Sequence, residues 1–298
     1  MRARSLRFAL LAAIATSLAV AGCQRGPQAE SERFLLDDIE TVPSQAWSEL
    51  AQQRIYFGHQ SVGNDIMEGV VAVIADHEQI ALEVQETTAP QRLVRGVFAH
   101  GKVGRNFSYE SKLEAFAKLM DSGLGEHVDI ALLKFCYVDI MPGSDVARIF
   151  RDYSETLTRL ESRYPQTTFV HVSEPLTWRL TGAKAALRSV KDSVKEALGG
   201  SGYGRFFDNA SRNQFNAMLY ARYGGREPLF DLAAIESSNA DGSRVAYEEG
   251  DATYFAMAQQ YTDDGGHLNE SGRRRVAEQL LVFLAELAAE RAERDEGR

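Results

Sequence analysis

Two short strings in this 298-residue chain hold residue types that can do chemistry together. The first, Gly58-His59-Gln60-Ser61-Val62-Gly63, closes an apolar run and opens what reads as a helix. Ser61 therefore stands at a strand's C-terminal end and a helix N-terminus, where unpaired N–H groups and the helix dipole favour negative charge. A Ser at such a join is ordinarily a helix cap, and it needs a proton acceptor to be more. The second string, Asp263-Asp264-Gly265-Gly266-His267-Leu268-Asn269, offers one. Asp264 precedes His267 by three residues in a Gly-containing loop, a spacing that lets a carboxylate fold back on the imidazole and stabilise its charged form. Alone, such a string is more often a solvated surface loop. With a serine it supplies a nucleophile, a base and an orienting acid, the parts of an acyl-transfer site.

Those parts must be positioned by the elements around them. Apolar runs at Arg54 to Gly58, Ile80 to Val84, Val128 to Tyr137, Thr168 to Val172 and Leu229 to Ala233 read as buried parallel strands. Helical spacing marks Ser108 to Met120, Asp145 to Arg163, Asn209 to Tyr223 and a last helix capped by Asn269. The charged end AAERAERDEGR is expected to fray. Alternation of strand and helix predicts an α/β fold, a three-layer α/β/α sandwich on a mostly parallel five-stranded sheet, with ligands bound at the strands' C-terminal ends. The stretch Leu176 to Gly200 reads as a surface helix or a lid-like insertion.

Serine early, Asp-x-x-His before a terminal helix, and an α/β sandwich together resemble the SGNH (GDSL-like) hydrolase family. The resemblance runs through GHQS at 58–61, HGKVGRN at 100–106, CYVD at 136–139, VHVSEPLT at 170–177, NQFNAMLYARYGGREPLFDLAAIES at 213–237 and DGGHLN at 264–269. It implies a serine esterase with Ser61 as nucleophile, His267 as base and Asp264 as orienter. Asp263 is a rival carboxylate, but Asp264 has the family spacing. The family's oxyanion hole takes the nucleophile's N–H, a Gly N–H and an Asn side chain, and Gly104 matches the Gly.

Two blocks depart from the family pattern. His59-Gln60-Ser61 stands where Gly-Asp-Ser is usual, and Cys136-Tyr137-Val138-Asp139 stands where Gly-x-Asn-Asp is usual. Val138 has no donor, and loss of one oxyanion donor costs about 100- to 1000-fold in rate. Asn106, two residues after Gly104, is the favoured replacement, against the reading that it only shapes its loop as an Asx-turn. Gln60 and His59 are the other possible donors.

Other residues carry weaker signals. Lys134, inside an apolar run, is expected to pair at the strand end with a carboxylate such as Asp139. His59, His100, His267 and Asp264 could hold a metal, but the dispersed spacing makes no metal motif, and the expectation is no metal and no cofactor. Cys136 reads as a small core residue that touches the site. Gly199 to Gly204 (GGSGYG) lacks a preceding strand and a downstream Lys, so it reads as a loop. The absence of Gly-x-Ser-x-Gly argues against an α/β-hydrolase.

The first 23 residues, with Arg2, Arg4 and Arg7 before an apolar stretch and Val20-Ala21-Gly22-Cys23 at its end, read as a lipoprotein signal peptide with Cys23 as the lipidation site. Gln24 after it, in place of Asp, points to outer-membrane sorting where two membranes exist. Residues 24–33 then form a polar tether, 34–292 the hydrolase domain and 293–298 a charged tail. With Cys23 acylated, Cys136 has no disulfide partner. A net charge of -9 with no basic run outside the signal argues against nucleic acid as a partner. The expectation is an exported esterase, tethered to a membrane by lipid alone, acting on a small ester or on an acylated envelope carbohydrate. The alternatives are an O-acyltransferase with the same triad and a non-catalytic carbohydrate-binding or assembly lipoprotein. Oligomeric state leaves no mark in the sequence.

Overall fold

A strand that is apolar on both faces belongs in the middle of a sheet, and Arg54–His59 (β1) sits there, buried from Ile55 onward. The computed structural model of the protein describes residues 33–87, 93–179 and 206–297. Around β1 lie Glu83–Glu86 (β2), Val97–Lys102 (β3), Ile130–Leu133 (β4), Thr168–Val172 (β5) and Leu229–Phe230 (β6), in the order β2-β3-β1-β4-β5-β6. Every neighbouring pair in this sheet is parallel. The chain leaves β1 for one side, through β2 and β3, and then crosses back to β4 on the other. β1 is thus the switch strand, and its C-terminal end is where such sheets bind ligands.

Alternate residues of the strands feed two cores. Ile55, Phe57, Ile130, Leu132 and Val170 face Ser44–Leu50 (α1), Ser61–Asp76 (α2) and Glu270–Glu296 (α7). Tyr56, Ala99, Ala131, Leu133 and Phe169 face Tyr109–Asp121 (α3), Val146–Arg163 (α4) and Ala210–Tyr223 (α5). The short helix Leu232–Ser237 (α6) and an antiparallel hairpin, Ala246–Glu249 (β7) with Ala252–Phe255 (β8), complete the described elements.

The α/β/α sandwich is as expected, but its sheet has six strands rather than five. The added strand is β3, whose apolar run Val97-Phe98-Ala99 is cut short by His100 and Gly101 and so does not read as a buried strand. The strand expected at Leu229 to Ala233 ends at Phe230, because Asp231 caps α6 by accepting the Ala234 N–H at 2.9 Å. The expected edge strand at Ile80 to Val84 begins only at Glu83, and Ile80 and Leu82 instead plug the core beside it. The charged C-terminal end does not fray: α7 continues to Glu296, and Arg291 anchors it to Thr168 Oγ1 and the Gln166 carbonyl. The signal, Cys23 and most of the tether lie outside the described residues. So does the expected insertion from residue 180 on, whose described start at Leu176 and Thr177 is buried.

Under the C-terminal edge of the sheet runs a layer of buried ionisable side chains, Lys134, Glu174, Glu236 and Arg212. Lys134 does not pair with Asp139, as its position suggested; its Nζ donates to the Phe135 carbonyl at 2.7 Å, and Asp139 is taken by Lys112. Arg212 stitches three segments together, donating to the carbonyls of Tyr137 (2.9 Å), Phe206 (3.0 Å) and Asp208 (2.5 Å) and to Thr177 Oγ1 (2.9 Å). Glu236 accepts the Leu176 N–H at 2.7 Å, and burial pushes its carboxyl up to about 8. The folded chain therefore keeps a proton that the unfolded chain releases near 4.5, so this group makes stability fall as pH rises from about 4.5 to 8. Glu236→Gln, which keeps an acceptor for Leu176 and cannot ionise, is expected to flatten that fall. Thermal melts of both proteins from pH 4 to 9 test it, and parallel profiles would contradict it.

Candidate active site

Ser61 is the first residue of α2, directly after β1 and Gln60. Its hydroxyl does not cap the helix. Its one hydrogen-bond contact among the described residues is a long one to Cys136 Sγ, at 3.9 Å. As the first helical residue it has an N–H with no intrahelical acceptor. The oxygen and the N–H are both left free for a reacting group.

The His loop precedes α7, which Asn269 caps as expected by accepting the Gly272 N–H at 3.0 Å. Asp264 folds back as its spacing suggested. Its Oδ2 meets His267 Nδ1 at 2.8 Å, and its Oδ1 accepts the N–H groups of Gly266 and His267, each at 2.8 Å. Burial alone would raise this carboxyl, but the two N–H donors and the imidazole outweigh it and hold it down at about 2. Asp264 is thus ionised throughout the neutral range and accepts from Nδ1, which leaves Nε2 as the basic nitrogen of a neutral ring. Asp263 bonds Asn269 Nδ2 at 3.3 Å instead. The loop is tied to α2 by Asp65, which accepts the Leu268 N–H at 3.3 Å and faces Arg273 at 3.4 Å.

Ser61, Asp264 and His267 line one cavity of about 520 Å³, together with Asn106, Cys136 and Val138. The wall also includes Phe107, Tyr137, Phe206 and Phe207. The Tyr137 ring stands edge-on to His267, with centroids 6.0 Å apart, and no side chain larger than hydrogen fits at Gly266 beneath it. Phe107 is exposed and is the only non-glycine described residue with positive φ, at 64°. A bulky residue in that region is strained, and such strain gathers at ligand sites.

Gly104 is not among the residues lining the cavity, but its loop is fastened to Gln60, the neighbour of Ser61. Both amide hydrogens of Gln60 are spent on it, through Nε2 to the carbonyls of Val103 (3.0 Å) and Gly104 (2.9 Å). Gly104 has φ +61°, and a Cβ there would lie 2.5 Å from the Lys112 nitrogen, so only glycine lets the loop close on α3. Gln60 is therefore not a free oxyanion donor. Nor is His59, whose Nδ1–H donates to the Gln60 carbonyl at 3.0 Å and whose Nε2 meets His100 Nδ1 at 2.9 Å. Burial pushes His59 down to about 3, so it is neutral. With His59 and His100 bound to each other and His267 bound to Asp264, the four residues considered as metal ligands do not converge.

Asn106 remains, and Lys112 sets its orientation. The Lys112 ammonium, fully buried, lies 3.2 Å from Asn106 Oδ1 and forms an ion pair with Asp139. An ammonium has only donors, so the Asn106 atom that meets it must be the carbonyl oxygen, and the NH2 group is turned elsewhere. Asp139 Oδ2 also accepts the Cys136 N–H at 2.7 Å. Sequence reasoning missed Lys112, since a lysine on an amphipathic helix normally reads as solvated. It also missed the aromatic wall, whose members come from three separate segments.

A scan against models of protein families finds no match to this chain, and neither does a search of curated proteins. Among solved structures the chain is similar to a protein of Bacteroides fragilis provisionally named an acylhydrolase. That match has a TM-score of 0.50 and 12% identity, covering 85% of this chain and 99% of that one. It also aligns with a GDSL-like lipase of Bacteroides thetaiotaomicron, at a TM-score of 0.46 and 11% identity over 84% of this chain and 98% of that one. The first of these likenesses shows the fold: the chain is an α/β/α sandwich like that of SGNH hydrolases.

Proposed function

We propose that this protein is an SGNH-type serine esterase that cleaves esters through an acyl-enzyme. Ser61 Oγ attacks the ester carbonyl, His267 Nε2 takes its proton, and Asp264 holds the imidazole by Nδ1. The Ser61 N–H and the Asn106 amide, which both belong to the cavity wall, receive the oxyanion. His267 then returns the proton to the leaving alcohol, and water, activated by the same base, releases the acid. The observation that carries this reading is one cavity lined by Ser61, Asn106 and the bonded pair Asp264–His267. Against a non-catalytic module stands the Ser61 hydroxyl, which among the described residues neither caps its helix nor bonds the backbone. The mixed aromatic and polar wall suits a short acyl group on a sugar or a small alcohol. The setting is the cell envelope, with the chain held by lipid on Cys23; a Cys23→Ser chain that still sediments with membranes would contradict this.

A fluorophosphonate probe, applied to protein that starts after Cys23, is expected to label Ser61 and no other residue. Labelling should vanish in Ser61→Ala and His267→Ala, as should hydrolysis of p-nitrophenyl acetate. Folded protein that hydrolyses no activated ester and takes no label would sink the enzyme reading. Acyl transfer to an added sugar at the expense of free acetate would assign the transferase variant.

The roles of Asn106 and Lys112 are separable. Asn106→Ala is expected to lower kcat by about 100- to 1000-fold with little change in KM. Lys112→Met should lose a similar factor, and the double variant no more than the worse single one, because Lys112 acts through the Asn106 amide. Losses that multiply, in proteins of matched melting temperature, would mean that Lys112 serves only the fold.

A further inference from the structure

Away from the catalytic cavity, three elements bring ligand-bearing side chains to one point. Glu161 lies in the last turns of α4, His171 on β5, and Glu227 in the turn between α5 and β6. His171 Nε2 is 3.1 Å from Glu227 Oε2 and 3.9 Å from Glu161 Oε1, and one donor atom from each of the three lies within 4.8 Å of the others. None of the three lines the catalytic cavity.

The histidine is held as a ligand would be. Its side chain is fully buried, and its ring stacks on Tyr223 with centroids 3.6 Å apart. Nδ1 is 2.8 Å from the Tyr153 hydroxyl, which can donate to it or accept from it. When the hydroxyl accepts, the Nε2 lone pair points between the two carboxylates, and Tyr153 serves as the outer partner that metal-bound histidines have. Both glutamates are partly exposed, so an ion can reach them and Glu161 can close the remaining distance by rotation.

The charge around this point is also unbalanced. Tyr153 and Tyr223 are neutral, and the cation acting on the pair is Arg222, whose guanidinium lies 5.4 Å from the Tyr223 ring centre. The Glu161 and Glu227 carboxylates each bring an oxygen within 4.8 Å of the other and of His171. Two carboxylates that crowd each other against an imidazole have a shortage of positive charge that a dication would fill.

We infer that Glu161, His171 and Glu227 form a binding site for one divalent transition-metal ion of the Zn2+ or Mn2+ type. One imidazole nitrogen with two carboxylate oxygens suits these ions, whereas Ca2+ and Mg2+ take oxygen ligands. The ion would pin the end of α4 to β5 and to the α5–β6 turn, so its role is structural and it takes no part in the ester chemistry.

The test uses metal-stripped full chain, with ZnCl2 and MnCl2 as probes and CaCl2 and MgCl2 as controls. Equilibrium dialysis with elemental analysis should find one Zn2+ or Mn2+ per chain, and thermal melts should show a saturable rise in melting temperature. Glu227→Gln, at a partly exposed position that leaves the fold intact, should weaken binding by about 10-fold or more. Glu161→Gln should do the same, and Arg222→Gln, which removes the competing cation, should tighten it. No stoichiometric ion in the wild-type protein would overturn the inference. So would binding that survives both glutamate substitutions, or a rise produced equally by Ca2+ and Mg2+.

Discussion

The ion pair between Lys112 and Asp139 is the constraint on which the geometry of the active site depends. Both side chains are fully buried, and removing one partner of such a pair costs about 3–5 kcal/mol because the other charge is left uncompensated. The desolvation is offset by further bonds: Asp139 also accepts the Cys136 N–H, and Lys112 also donates to Asn106. Those bonds fix three things at once. The chain after β4 turns where Cys136 meets the cavity, α3 is held against that turn, and the loop from Gly104 to Phe107 is drawn over the N-terminus of α3. The pair is thus less a source of net stability than a device that leaves the Asn106 amide one orientation.

On the other side of the site the coupling is made by packing. α2 begins at Ser61 and α7 begins just after His267, and the two helices lie together so closely that a Cβ on Gly69 would fall 2.3 Å from the Arg273 carbonyl. Asp65 and Glu68 on α2 meet Arg273 on α7, and Asp65 also takes the Leu268 N–H. Ser61 and His267 are therefore held by one closely packed pair of helices although about 200 residues separate them in the chain. Arg212, buried beneath the far wall, does the same for Tyr137 and Phe206 through their carbonyls.

Much of this was legible before any coordinates. Ser61, Asp264 and His267 lie in one cavity because their strings sit at element boundaries, and boundaries at the C-terminal ends of parallel strands converge. Caps at Ser108, Asp145 and Asn269 mark helix starts through local chemistry, so those starts read correctly. What failed to read was whatever depends on distant partners. The strand Val97–Lys102 is buried because β1 and β2 flank it, and nothing in GVFAHGK announces that. Lys134 looked like a partner for Asp139, but Lys112 approaches from α3, whose packing against the β4 end no local pattern encodes.

The two departures from the family pattern fit together once the contacts are known. A carboxylate at position 60 would face the carbonyl oxygens of Val103 and Gly104 and repel them, whereas the Gln60 amide donates to both and closes the loop onto the nucleophile. That closure carries the next residues of the loop, Arg105 to Phe107, toward Ser61, and Asn106 arrives at the cavity from the loop after β3. Asn106 thus lines the cavity from the loop after β3, and Val138 contributes apolar wall after β4. On the proposed reading, in which the Asn106 amide receives the oxyanion, Gln60 and Val138 are linked: Gln60 closes the loop that carries Asn106, and Asn106 supplies the donor that Val138 lacks. A chain with Gln60 but without an amide at 106, or with Asn106 but a carboxylate at 60, would lack either the donor or the clasp that delivers it.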